Sequence, residues 1–214
     1  MKVVVIGGTG FVGSKIVNEL ADRGHDVKTI VRNANKITNT KVSFVEKDIL
    51  KDDFSNELRE ADVVVSAYNS GWTNPNLYND FINGSQAIEQ AVTHSGVKRY
   101  VVVGGAGSLQ DEEGNDLVDA PDFPAQIKPG ATAARDYFNT LKQNEDLDWT
   151  FFSPAMEMHP GTSGVRTGTY RTGLNHPVVD TNGRSILSVE DVAVVIADEV
   201  ENPKHIKQRF TAAY

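Results

Sequence analysis

Lys2-Val3-Val4-Val5-Ile6-Gly7-Gly8-Thr9-Gly10-Phe11-Val12-Gly13 is the stretch that most restricts what this chain can fold into. Val3 to Ile6 are four apolar β-branched residues in a row, the pattern of a strand buried on both faces of a parallel sheet. Glycines follow at once, and an amphipathic helix begins around Phe11. Gly8 to Gly13 reads G-x-G-x-x-G, and Gly7, Gly10 and Gly13 also stand three apart. A tight turn needs a residue that tolerates positive φ, a pyrophosphate must approach bare backbone, and the helix must pack closely on the strand. Free N–H groups and the helix dipole then hold the anion. Glycine-rich turns are common, but the strand before and the helix after make this one specific. Gly7, Gly8, Thr9, Gly10, Phe11, Val12 and Gly13 are therefore expected to cradle a dinucleotide.

At 214 residues the chain supports a sizeable core, and a single domain over 1–214 is expected. A net charge of −8 argues against nucleic acid as partner. The absence of cysteine excludes disulfides, thiol nucleophiles and Cys-ligated metals. No apolar run reaches the roughly 20 residues of a membrane span, and no signal peptide precedes the first strand. No membrane partner and a cytoplasmic location are the expectations. Oligomeric state is not legible.

The first helix is expected over Phe11–Arg23, with Val12, Ile16 and Leu20 as its stripe and Gly24 as its stop. Asp26–Val31 reads as strand two, and its end bears on nucleotide choice. Chains that prefer NAD usually place a carboxylate there for the ribose 2′-OH. Here Arg32-Asn33 follows, and a guanidinium suits the 2′-phosphate of NADP, or else is simply solvated. Val42–Lys47 alternates as strand three, ending at Asp48-Ile49. Two readings stand: Asp48 accepts from the adenine amino group with Ile49 covering the ring, or Asp48 caps the next turn.

A short helix around Asp53–Arg59 leads to Ala61–Ala67, a fourth strand of the buried type. Ala67 and Tyr68 then leave the sheet at its carboxyl edge, where open α/β sheets bind ligands. Tyr68 and Trp72 stack on a flat acceptor, or pack as core and rim. A helix follows over Leu77–Ser95, then strand five at Lys98–Val103, with Gly104 and Gly105 placed at the same edge. Between Arg99 and Lys128 no basic residue occurs, and Asp111, Glu112, Glu113, Asp116, Asp119 and Asp122 crowd the stretch. Their spacing lacks the alternation of a calcium loop, so a solvated acidic loop is expected rather than a metal site. Ala131, Ala134, Phe138 and Leu141 mark another helix, and Leu147–Pro154 a sixth strand. This repeated alternation predicts a doubly wound parallel sheet. Residues 155–214 are expected to form a small substrate-side lobe of the same domain. It contains a helix opening at Ser188, with Asp191 as capping partner, and a terminal strand near Arg209–Ala212.

The chain resembles the atypical short-chain dehydrogenase/reductases, in particular the NAD(P)H-binding, NmrA-like group that includes flavin-reductase-like and biliverdin-IXβ-reductase-like members. The residues that carry the resemblance are the Gly7–Gly13 turn, Val31-Arg32-Asn33, Asp48, Ser66-Ala67, Val103–Leu109, Leu147–Pro154, Arg184–Ser188 and Arg209-Phe210-Thr211. It covers essentially the whole chain and implies a Rossmann-like α/β fold. It further implies a bound NADP (NADPH) and hydride transfer to a flat small-molecule acceptor such as a quinone or a flavin, FMN or FAD serving as substrate.

Members of the wider superfamily that act on alcohols carry Tyr-x-x-x-Lys, in which lysine lowers the tyrosine pKa. Here Tyr68, Tyr78, Tyr100, Tyr137 and Tyr170 are followed four residues on by Trp72, Ile82, Gly104, Leu141 and Leu174, and Lys142 stands one place too far from Tyr137. The usual acid is absent, which favours acceptors that need little proton help. It also favours the alternative of a non-catalytic NADP-binding sensor; a nucleotide-sugar epimerase would need the missing tyrosine. The resemblance places Ser108 where the superfamily has its active-site hydroxyl, and Pro154, Ala155 and Met156 where backbone lines the nicotinamide. Lys128 precedes the helix that would carry the missing motif and is a second catalytic candidate. The bland alternatives are a turn-forming Ser108 and a surface Lys128. His159 is a candidate proton donor, or an ordinary loop histidine.

Overall fold

The computed structural model describes residues 1–214. Its first strand, β1 (Lys2–Ile6), alternates as a two-sided core strand must: Val3 and Val5 enter one apolar layer, Val4 and Ile6 the other. The helix α1 (Phe11–Asp22) buries Ile16, Val17 and Leu20 on the first layer and is followed by Gly24 at φ +85°. β2 (Asp26–Val31) and β3 (Ser43–Glu46) complete one half of the sheet, and the short helix α2 (Ser55–Leu58) returns the chain to β4 (Val63–Ser66). α3 (Leu77–Ser95) ends at Gly96, also left-handed, and feeds β5 (Arg99–Val103). α4 (Lys128–Leu141) starts three residues before its first apolar position, because Pro129 sits in its first turn where no N–H is needed. β6 (Asp148–Ser153), β7 (Arg171–Gly173), α5 (Val189–Glu201) and β8 (Gln208–Ala213) follow.

The eight strands form one sheet in the order β3-β2-β1-β4-β5-β6-β8-β7, all parallel except the edge strand β7. The doubly wound α/β architecture expected from the alternation is present. α1 and α5 cover one face, and α2, α3 and α4 the other. The order reverses between β1 and β4, so the crevice at their carboxyl ends is the switch point at which such sheets take ligands. No helix is long and apolar enough to cross a membrane.

The expected C-terminal lobe is narrower than 155–214. β8 joins the central sheet beside β6, with Thr150, Phe151, Phe152 and Ser153 opposite Gln208 to Thr211, and α5 packs against α1. The irregular part is about 156–186, which gives the sheet only its short edge strand β7 and is anchored by side chains: Thr167 and Gly168 donate backbone N–H to Asp191, and Arg166 pairs with Glu19 at 2.7 Å. Ser188 caps α5 through Asp191 N–H at 3.1 Å, as its sequence implies.

At the amino end of the sheet, Arg99 and Glu199 form a buried ion pair at 2.8 Å. Burial pulls the Arg99 pKa down, and the Glu199 carboxylate opposes that shift. The arginine also donates to Thr150 Oγ1 and Asp148 O, and the carboxylate accepts from the backbone N–H groups of Lys204 and His205. Removing one partner strands the other. Glu199→Leu alone is expected to lower stability by about 3–5 kcal/mol, Arg99→Met alone by a similar amount, and the two together by less than either single change. Urea denaturation of the three variants checks both.

Candidate nucleotide site

The turn after β1 is built by contacts that admit no side chain. Gly7 has φ +84°, and a Cβ there would lie 2.8 Å from the Ala67 carbonyl oxygen at the end of β4. A Cβ on Gly13 would collide with the Gly7 carbonyl oxygen, so the first turn of α1 rests directly on the strand end. Under Gly8 the space is filled by Val17 and by Thr29, whose hydroxyl donates to Val5 O at 2.8 Å. Gly10 N–H closes the turn onto Gly7 O at 3.0 Å.

α1 then begins without a cap. Gly10 offers no side chain, the first turn carries no acidic residue, and the N–H groups of Phe11, Val12 and Gly13 have no protein acceptor. Most helices satisfy such donors with Ser, Thr, Asp or Asn. Here bare donors and the positive end of the dipole face the switch-point crevice, with Thr9 half-buried and Phe11 exposed beside them. That is the donor set a pyrophosphate requires, so the residues present fit a dinucleotide.

Three strand ends converge next to it. Arg32, after β2, is exposed and makes no ion pair or hydrogen bond, yet its charge acts on Asp48 after β3 and on Tyr68 after β4. Asp48 accepts from Leu50 N–H at 3.2 Å and pairs with Lys51 at 3.2 Å, so the bonds of the capping reading are present, with Ile49 buried beside it. Partial burial raises its pKa, but the Leu50 N–H, Lys51 and Arg32 outweigh that and hold it below the usual carboxylate range. Tyr68 is taken up by packing. Its ring stacks on Phe81 at 5.9 Å and lies against Gly84, and its hydroxyl donates to Asp80 O. Burial pushes that hydroxyl up to about 12, with Asp80 adding to the shift. Trp72 stays 61% exposed, seated over Gly130 at the start of α4.

Further along the same edge, Gly104 follows β5 with the Phe151 ring where a side chain would go, and Gly105 continues the turn toward Ala134. Ser108 has no accessible surface; its hydroxyl lies 2.8 Å from Gly105 O and 2.8 Å from Ser153 Oγ. That geometry fits a hydroxyl that fixes the β5 turn against β6, not one open to a reactant. Lys128, the first residue of α4, carries an ammonium with no protein partner and is half-buried. Pro154 and Ala155 are buried after β6, while Met156 is 48% exposed. His159 accepts from Gly161 N–H through Nδ1 at 3.0 Å and so caps the turn at Pro160–Thr162.

The acidic stretch is more engaged than a solvated loop would be. Asp116 and Asp119 hold Arg135 of α4 at 3.0 and 2.7 Å, and Asp111 accepts from Asn115. Ser153 and Arg209 enter the sequence analysis only through the family resemblance and the strands it names; their contacts with Ser108 are not readable from the sequence.

The fold and this cradle define a nicotinamide-dinucleotide-binding protein of the doubly wound class. The family model described as NAD(P)H-binding matches residues 7–203, and the chain belongs to that family, as an atypical short-chain dehydrogenase/reductase. The uncharacterised Bacillus subtilis protein YwnB is 35% identical over 213 residues, spanning 99% of this chain and 97% of that one. Among solved structures, a Bacteroides thetaiotaomicron protein named “putative epimerase” is 40% identical with TM-score 0.90, covering 100% of this chain and 96% of its own. A Streptococcus pneumoniae protein named “putative NADH-flavin reductase” is 35% identical with TM-score 0.89, covering 100% and 99%.

Gly13→Ala forces a Cβ onto the strand-end carbonyl and lifts the helix start away from the cradle. Overpacking of this kind costs the local fold about 1–3 kcal/mol, and nicotinamide-dinucleotide affinity is expected to fall by roughly tenfold or more as the donors move. Fluorescence titration with NADPH, alongside an unchanged far-UV CD spectrum, is the check.

Proposed function

We propose that this chain is an NADPH-dependent oxidoreductase that moves hydride to a flat, flavin-like or quinone-like acceptor. The observation that carries the reading is the uncapped start of α1 at the switch point, flanked by an exposed guanidinium with no counter-ion at the end of β2. The bare N–H groups of Phe11, Val12 and Gly13 bind the pyrophosphate, and Arg32 binds the 2′-phosphate as a fork. Asp48 orients the adenine through whatever acceptor capacity its own turn leaves. Gly104, Gly105 and the buried Pro154-Ala155 wall off water at the nicotinamide end, and beside it Lys128 offers a half-buried ammonium with no protein partner.

When bound, the reduced nicotinamide supplies the hydride; the protein supplies orientation and electrostatics. The acceptor class follows from what the edge lacks. No tyrosine precedes a lysine by four residues, and Ser108 is buried in a bond to Ser153. An acceptor that holds its new electrons without immediate protonation suits such an edge. The name of the pneumococcal neighbour points the same way. The missing acid equally favours a sensor that binds NADP without turnover, and the same assay separates the two.

NADPH oxidation is measured with FMN, with a quinone and with no acceptor, then with NADH. Acceptor-dependent turnover that prefers NADPH is the expected result. Tight NADP binding with no turnover on any acceptor overturns the reductase in favour of the sensor. In the same assay Arg32→Ser is expected to raise the KM for NADPH about tenfold or more, as loss of a charge-assisted bidentate contact should, while the KM for NADH moves by less than about twofold.

A further inference from the structure

Two guanidiniums are buried in the central sheet, and the fold treats them differently. Arg99, at the amino end, is neutralised by Glu199. Arg209, in β8, is 7% exposed and meets only neutral groups: Nη1 donates to the Ser108 carbonyl, Nη2 to Asn175 Oδ1 at 2.7 Å, and the Phe138 ring lies 5.0 Å from Cζ. Its Nε has no partner. The carboxylate whose charge reaches it, Asp116, is itself bonded to Arg135 at 3.0 Å. Burying a cation with no counter-ion is unfavourable by several kcal/mol, and replacement by an apolar side chain would relieve it.

The position of that charge gives it a use. Arg209 stands opposite Phe151 in the register of β6 and β8, and its side chain reaches beyond the end of β5 to Ser108. Ser108 in turn meets Ser153 at the end of β6. A fixed positive charge therefore lies directly behind the turns that close the carboxyl edge, in low dielectric and out of reach of salt.

We infer that Arg209 is the electrostatic positioning residue of the acceptor end, holding the Ser108 turn and favouring acceptors that become anions when reduced. The inference rests on the reductase reading above and names the acceptor chemistry within it. In hydride transfer a C–H bond of the dihydropyridine breaks and a bond from hydrogen to the acceptor forms. Two electrons and one proton move together: the dihydropyridine is oxidised to a pyridinium, and the acceptor is reduced and gains one negative charge. The second proton comes from water afterwards. A flavin spreads the charge over N1 and the C2 carbonyl, and a quinone holds it on oxygen. A preorganised cation stabilises either product and takes over part of what the absent acid would do.

The test is anaerobic titration of the protein with oxidised FMN and with chemically reduced FMN, at a pH where the reduced form is anionic. It uses wild type, Arg209→Gln and Arg209→Lys. Gln removes the charge and is too short to reach Ser108 and Asn175; Lys keeps the charge without the fork, so the pair of variants separates charge from the lost bonds. Wild type is expected to bind reduced FMN about tenfold or more tightly than oxidised FMN, the scale of one partly screened charge contact. Arg209→Gln is expected to lose that preference, and Arg209→Lys to retain it within about threefold, both with NADPH affinity within about twofold of wild type. A preference unchanged in Arg209→Gln, or absent in wild type, overturns the role of Arg209. If Arg209→Gln does not fold, the Lys variant decides: loss of the preference with the charge retained overturns it equally. Wild type that binds NADPH but FMN in neither form overturns the flavin reading beneath it, a separate result.

Discussion

Everything at the ligand edge depends on one close approach, that of Gly13 in α1 to the carbonyl of Gly7 at the end of β1. Backbone lies on backbone there, with no side chain between. The contact sets how far α1 stands from the sheet and therefore where its unbonded N–H groups point. It also explains the neighbours. Thr29 and Val17 fill the floor below Gly8, and Ala67 closes the far wall against Gly7, so the cradle is supported from β2, α1 and β4 together.

Several cations of the fold differ in how they are neutralised. Arg99 at the amino end is buried and neutralised, and Arg23 at the foot of α1 is shared among Glu19, Asp198 and Glu201. Arg32 and Lys128 at the carboxyl edge, and Arg209 buried in the sheet behind it, have no carboxylate partner within bonding distance. The chain carries a net charge of −8, so Arg32 and the half-buried Lys128 are local positive charges on an acidic protein.

Local order was legible in the sequence because it is dictated locally. Val3–Ile6 alternate between two apolar layers, Gly24 ends the first helix, and Ser188 caps α5 with Asp191, all from spacing alone. The turn Gly7–Gly13 was legible for the same reason, each glycine answering a steric demand within a dozen residues. Contacts between distant residues were not. Ser108 and Ser153 stand 45 residues apart, and Arg99 and Glu199 stand 100 apart. Only the sheet order, with β8 inserted between β6 and β7, brings Arg209 under the β5 turn. Tyr68 illustrates the converse: its place at the edge was readable, but the direction of its ring was decided by Phe81 and Gly84 on α3.

The most direct test of this account is calorimetric titration of the purified protein with NADP+ and with NAD+. One site per chain, with NADP+ bound about tenfold or more tightly, is the result the cradle and Arg32 predict. Equal or weaker binding of NADP+ than of NAD+, or no binding of either, would contradict it.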